Sequence, residues 1–215
     1  MSDDPGTSAA APASQTFLPL LCAAAWVAAA TGARLLGIWT AVGGAAIALG
    51  IAILLLDGVA AWKLLRPRPL LLLIGAGAGA SMAAATWLLY PLLTRVAPFV
   101  ARDTGLLYAA FRAPSLAIVA LALAPIVLGE ELVWRGVVQA AVVRRLGPVA
   151  GVPVAAGAYA LAHAPLGSPV LVLVALACGL CWGALRAATG SLVPALIAHL
   201  VWDALVLLWL PLVSR

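Results

Sequence analysis

Ala124-Pro125-Ile126-Val127-Leu128-Gly129-Glu130-Glu131-Leu132-Val133-Trp134-Arg135-Gly136 sets two adjacent carboxylates and an arginine inside a run that is otherwise apolar. An ionisable side chain at the centre of a lipid-embedded helix costs roughly 2.5 to 3.5 kcal/mol on insertion scales, so such groups face a bundle interior or a cavity and mark a working site. Helix geometry divides the charges. Glu131 and Arg135 are spaced i,i+4 and share a face, which predicts an ion pair tying this helix to its neighbours. Glu130 is turned by about 100° from Glu131. It is the freer carboxylate, able to point into a cavity and act as a general base.

The surroundings of this stretch are those of a membrane protein. Hydrophobic residues make up 66% of the 215 and charged residues 9%, with a mean hydropathy of +1.17. No soluble domain needs such a balance to fill its core. The reading is an all-α, polytopic transmembrane helix bundle with the polar site inside it. With about 20 apolar residues needed to cross a bilayer, about seven spans are expected, at 17–34, 38–61, 70–93, 114–142, 148–164, 168–188 and 191–212. Residues 1–16 are polar, rich in Pro, Ser and Ala, and lack the basic start of a secretion signal, so they read as a disordered tail. Residues 17–113 form the N-terminal spans and an interfacial connection, and 114–212 the polar core.

The 12 Lys and Arg outnumber the 7 acidic residues, but they are scattered among the connections between apolar runs. That placement serves topology, not nucleic-acid binding. Lys63, Arg66 and Arg68 should face the cytoplasm, with Arg144, Arg145 and Arg186 on the same side and the uncharged 164–167 link opposite. The connection 94–113 carries Arg95, Arg102 and Arg112 against Asp103 and resists this parity. Either it lies at the interface as an amphipathic piece or the count is off by one. Asp57 reads as a partner for Lys63 or a water-facing cap.

Small residues at 75–79 and 179–183 suit close helix packing. Cys22, Cys178 and Cys181 lie in apolar stretches and read as small hydrophobes, with no disulfide framework. Trp134, Trp182 and Trp202 read as packing or interfacial residues.

The two histidines of the chain fall in later spans. His163 ends Tyr159-Ala160-Leu161-Ala162-His163, with Tyr159 placed to pack against or position it. His199 begins His199-Leu200-Val201-Trp202-Asp203, where i,i+4 spacing lets Asp203 orient the imidazole or join it in holding a metal. Each polar residue alone is as readily a satisfied interhelical hydrogen bond as a site. Glu130, His163, His199 and Asp203 together, all of types that hydrolysis uses, point to a site.

In these motifs the chain resembles the CPBP (CAAX prenyl protease and bacteriocin-processing, or Abi) family of intramembrane endopeptidases. The family pattern is EExxxR, then FxxxH, then HxxxN or HxxxD on separate helices. The first is intact at Glu130, Glu131 and Arg135; the second has Tyr159 in place of Phe, with His163; the third is His199 with Asp203. The likeness covers about residues 114–212. It implies that Glu130 and His163 activate a water for attack on a peptide carbonyl. His199 and Asp203 would then stabilise the oxyanion or complete a metal site. Zinc held among Glu130, His163, His199 and Asp203 and a metal-free glutamate mechanism are both open. Asp203 tilts the balance towards metal, because an ionised carboxylate cannot donate to an oxyanion. The implied partners are membrane lipid and a peptide or lipid-anchored protein substrate, prenylated or leader-bearing, in what the short architecture suggests is a prokaryotic cytoplasmic membrane. Two rival classes are a non-catalytic scaffold or immunity-type protein of the same fold, and a proton-coupled transporter, for which neither repeat symmetry nor broken helices are evident.

Overall fold

The computed structural model describes residues 13–112 and 116–213, and these are helical almost throughout. The elements are α1 (Ala13–Leu36), α2 (Gly44–Leu64), α3 (Pro69–Val96), α4 (Phe99–Ala110), α5 (Leu116–Glu131), α6 (Gln139–Ala162), α7 (Pro169–Thr189) and α8 (Val193–Asp203). Wider π-helical turns, Trp39–Gly43, Leu132–Val138 and Ala204–Trp209, lead into α2, join α5 to α6 and extend α8. Of the polar tail, residues 1–12 lie outside the described residues. Residues 13–16 belong to α1: an apolar helix, once nucleated, propagates outward through residues of moderate propensity.

Among the described residues, five helices are long and apolar enough to cross a membrane: 17–36, 39–64, 69–96, 117–166 and 169–189. The fourth holds 50 residues, about twice what one crossing needs. It is interrupted at Gly147, where φ of +71° breaks the helix immediately before Pro148. There the chain doubles back, since a Cβ on Gly151 would lie 2.7 Å from the Cα of Val143. In a straight helix those residues would be about 12 Å apart along the axis. The run thus accounts for both expected spans, 114–142 and 148–164. The last expected span, 191–212, is shorter than predicted. Helical winding stops at Trp209, because Pro211 forces Leu210 out of the helical region, to φ −131° and ψ 65°.

The breaks follow from local chemistry. Gly37, at φ +77°, ends α1 in the left-handed conformation, and Pro69 opens α3 at its first turn. Asp57 sits at an interruption of α2, exposed, and forms no ion pair with Lys63. The connection that resisted the parity argument contains α4. Its Asp103 Oδ2 accepts hydrogen bonds from Ser168 Oγ at 2.7 Å and from the Val170 N–H at 2.9 Å, which ties α4 to the start of α7. Arg95, Arg102 and Arg112 are all exposed around it.

The small residues do pack helices closely. A Cβ on Gly75 would meet Ile197 and Pro194 at 2.8 Å, and one on Gly79 would meet the Ala198 carbonyl at 2.6 Å, so α3 and α8 touch backbone to backbone. Cys22, Cys178 and Cys181 are free thiols, the first two buried and the third exposed. Buried Trp26, Trp134 and Trp182 fill the centre of the bundle around the polar helices.

Candidate active site

The last turn of α5 delivers Glu130 and Glu131, and the π-helical turn that follows carries Arg135. Such wide turns inside long helices are frequent at functional sites, because they re-aim side chains without ending the helix. The expected ion pair is present: Arg135 Nη1 lies 3.3 Å from Glu131 Oε1, with both side chains almost wholly buried. The guanidinium also lies 4.3 Å from the ring centroid of Tyr159 and 5.1 Å from that of Trp182, so aromatic faces replace much of its lost hydration.

Glu131 does more than hold Arg135. The same Oε1 accepts from His199 Nδ1–H at 2.9 Å, which joins α5 to α8. On the far side of that imidazole, Nε2 lies 3.5 Å from Asp203 Oδ2, as the i,i+4 spacing predicts. The indole of Trp182 is stacked on His199, with ring centroids 3.7 Å apart and an interplanar angle of 18°. Trp182 was expected to be a packing or interfacial residue, and no sequence signal links it to His199. It lies in no motif, and only the packing of α7 against α8 makes the pair.

Glu130 takes a different surrounding. Its Oε1 accepts a hydrogen bond from the hydroxyl of Tyr159, a contact that the i,i+4 relation of Tyr159 to His163 does not predict. Tyr159 also positions His163, as expected, through its carbonyl and its ring. His163 Nδ1–H donates to the Tyr159 carbonyl at 2.8 Å, and the rings meet edge to face at 4.6 Å. That bond leaves the opposite nitrogen, Nε2, as the acceptor of a neutral imidazole.

These residues surround one cavity of about 540 Å³. Glu130, Tyr159, His163, His199 and Asp203 all line it, with Cys178 and Trp182, whereas Glu131 and Arg135 do not reach it. Its remaining wall is largely apolar, from Val127 and Leu123 on α5 to Leu89 on α3. The cavity thus sees only one of the two adjacent glutamates. Among the described residues, no three His, Cys, Asp or Glu side chains stand in an arrangement that could hold a metal ion. His163 and His199 each turn Nδ1 to a fixed acceptor, the Tyr159 carbonyl and the Glu131 carboxylate.

A family model described as Type II CAAX prenyl endopeptidase Rce1-like matches residues 105–205, a segment that contains Glu130, Glu131, Arg135, Tyr159, His163, Trp182, His199 and Asp203. No curated protein and no solved structure matches the chain.

Proposed function

We propose, from the match of residues 105–205 to the Rce1-like CAAX prenyl endopeptidases, that this integral membrane protein hydrolyses a peptide bond in a membrane-associated substrate, with Glu130 as the general base. The observation that carries this reading is the exclusive presence of Glu130, and not Glu131, in the wall of a cavity that also holds His163, His199 and Asp203. A water between Glu130 and His163 Nε2 would give its proton to the carboxylate while its oxygen adds to the carbonyl carbon. Glu130 then returns that proton to the leaving amine as the tetrahedral centre collapses. Glu131, Arg135 and Trp182 hold the site's far wall in place through His199 and Tyr159.

No step here needs a metal. The largely apolar wall suits a lipid-anchored or transmembrane peptide, in keeping with a prenylated or leader-bearing substrate presented from the bilayer. A prokaryotic cytoplasmic membrane is the setting we propose for it.

Proteoliposomes containing the wild-type chain, incubated with a library of prenylated and unmodified peptides, test the proposal. Cleavage that is lost in Glu130→Ala and survives a chelator is the expected result. Cleavage retained in Glu130→Ala removes Glu130 as the base, and chelator-sensitive cleavage restores the metal reading.

A further inference from the structure

A tetrahedral intermediate needs a proton donor for its oxyanion, and the charged and imidazole side chains of the site are poorly supplied with one. Ionised Asp203 only accepts. His199 has Nδ1–H committed to Glu131, and an oxyanion brought to Nε2 would lie beside the Asp203 carboxylate, 3.5 Å away, and be repelled by it. His163 donates through Nδ1 to a carbonyl, which leaves an acceptor towards the cavity. Arg135 carries ample donors but does not reach the cavity.

Tyr159 does line the cavity, and its hydroxyl points at Glu130. We propose that Tyr159 is a catalytic residue whose O–H, held by Glu130 at rest, transfers its hydrogen bond to the oxyanion as the reaction proceeds. The inference rests on the protease reading above. The donor follows the charge. When the water proton passes to Glu130, the carboxylate becomes neutral and its hold on the hydroxyl weakens. At the same moment the carbonyl π electrons localise on oxygen and create a stronger acceptor. Collapse reverses both changes, with the proton on Glu130 going to the amine nitrogen. Arg135, packed on the ring face, fixes the phenol in place through both states. The tyrosine that departs from the family's FxxxH pattern therefore supplies the donor that an aspartate at position 203 cannot.

The test compares Tyr159→Phe and Glu130→Gln with wild type for kcat and KM on a cleaved peptide, and for affinity towards a phosphinic peptide, whose tetrahedral oxygens mimic the intermediate. The ring contacts of Tyr159 with Trp134 and His163 survive in phenylalanine, and an unchanged thermal transition confirms the fold. The expected result for Tyr159→Phe is a fall in kcat of about 10²- to 10³-fold with KM nearly unchanged, and a parallel loss of phosphinate affinity. Glu130→Gln should abolish turnover yet keep most of that affinity. A fall in kcat with phosphinate affinity intact makes Tyr159 a positioning group for Glu130 and overturns the donor role, as does an unchanged kcat. Absence of cleavage by wild type overturns the protease reading, and the donor role with it.

Discussion

Glu131 Oε1 is shared by two cations or potential cations from different helices: His199 Nδ1 at 2.9 Å and Arg135 Nη1 at 3.3 Å. The carboxylate is wholly buried, so removing it strands a buried guanidinium and releases an imidazole that belongs to the cavity wall. Breaking a buried ion pair by deleting one partner costs about 3 to 5 kcal/mol. Glu131→Ala is therefore expected to lower stability by about that amount in detergent unfolding. Glu130→Ala, whose lost partner is a neutral hydroxyl, should unfold near the wild-type midpoint. Equal destabilisation by the two would contradict the division of labour between these neighbours.

The stacking of Trp182 on His199 predicts a second effect, visible in rate more than in stability. An aromatic pair of this kind contributes about 0.5 to 1.5 kcal/mol beyond burial, which corresponds to roughly 2- to 13-fold in a rate that depends on ring orientation. Trp182→Phe should retain most of the proteolytic kcat, and Trp182→Leu should lose about that factor. Identical kcat values for the two substitutions would show that the indole only fills space.

Close contact of α2 with α5 sets the height of Glu130. A Cβ on Gly129 would lie 2.0 Å from the Ala46 carbonyl oxygen, and one on Gly50 would lie 2.7 Å from the Gly129 Cα. Gly129→Ala must push α5 away from α2, at a cost of about 1 to 3 kcal/mol, and it displaces the adjoining Glu130. Gly77→Ala, with no atom within 4 Å of the new methyl, is the matched control and should be neutral or slightly stabilising. Thermal midpoints and kcat of the two variants, measured side by side, decide the matter; equal values would show that the α2–α5 contact yields without consequence.

Asp103 anchors α4 to the first turn of α7 by accepting from Ser168 Oγ and the Val170 N–H. Loss of a helix-start acceptor costs about 0.5 to 2 kcal/mol. Asp103→Ala should loosen α4, whose Val100, Thr104 and Tyr108 line the same cavity, and raise KM more than it lowers kcat. Hydrogen exchange at residues 169–171 should quicken in parallel. Unaltered exchange there would show that the cap is replaceable.

The parts of this architecture legible in sequence were those that depend on position along one helix. Composition and run length specify a polytopic helical bundle, since backbone polar groups in lipid must be satisfied within the segment. The break at Gly147-Pro148 and the stop before Pro67 and Pro69 follow from φ limits and a missing donor. The Glu131–Arg135 and His199–Asp203 pairs follow from i,i+4 spacing, and the rotation between residues 130 and 131 already separates the two glutamates. Which partners those side chains meet on other helices was another matter. Tyr159 with Glu130, Glu131 with His199, and Trp182 over His199 each join two helices through their mutual rotation and depth. In water, an apolar stripe would orient each helix towards the core and make such pairs inferable. In lipid every face is apolar, so hydrophobic periodicity carries almost no orientation. Close packing of small residues and buried polar bonds decide it instead, and they exist only once the helices have met.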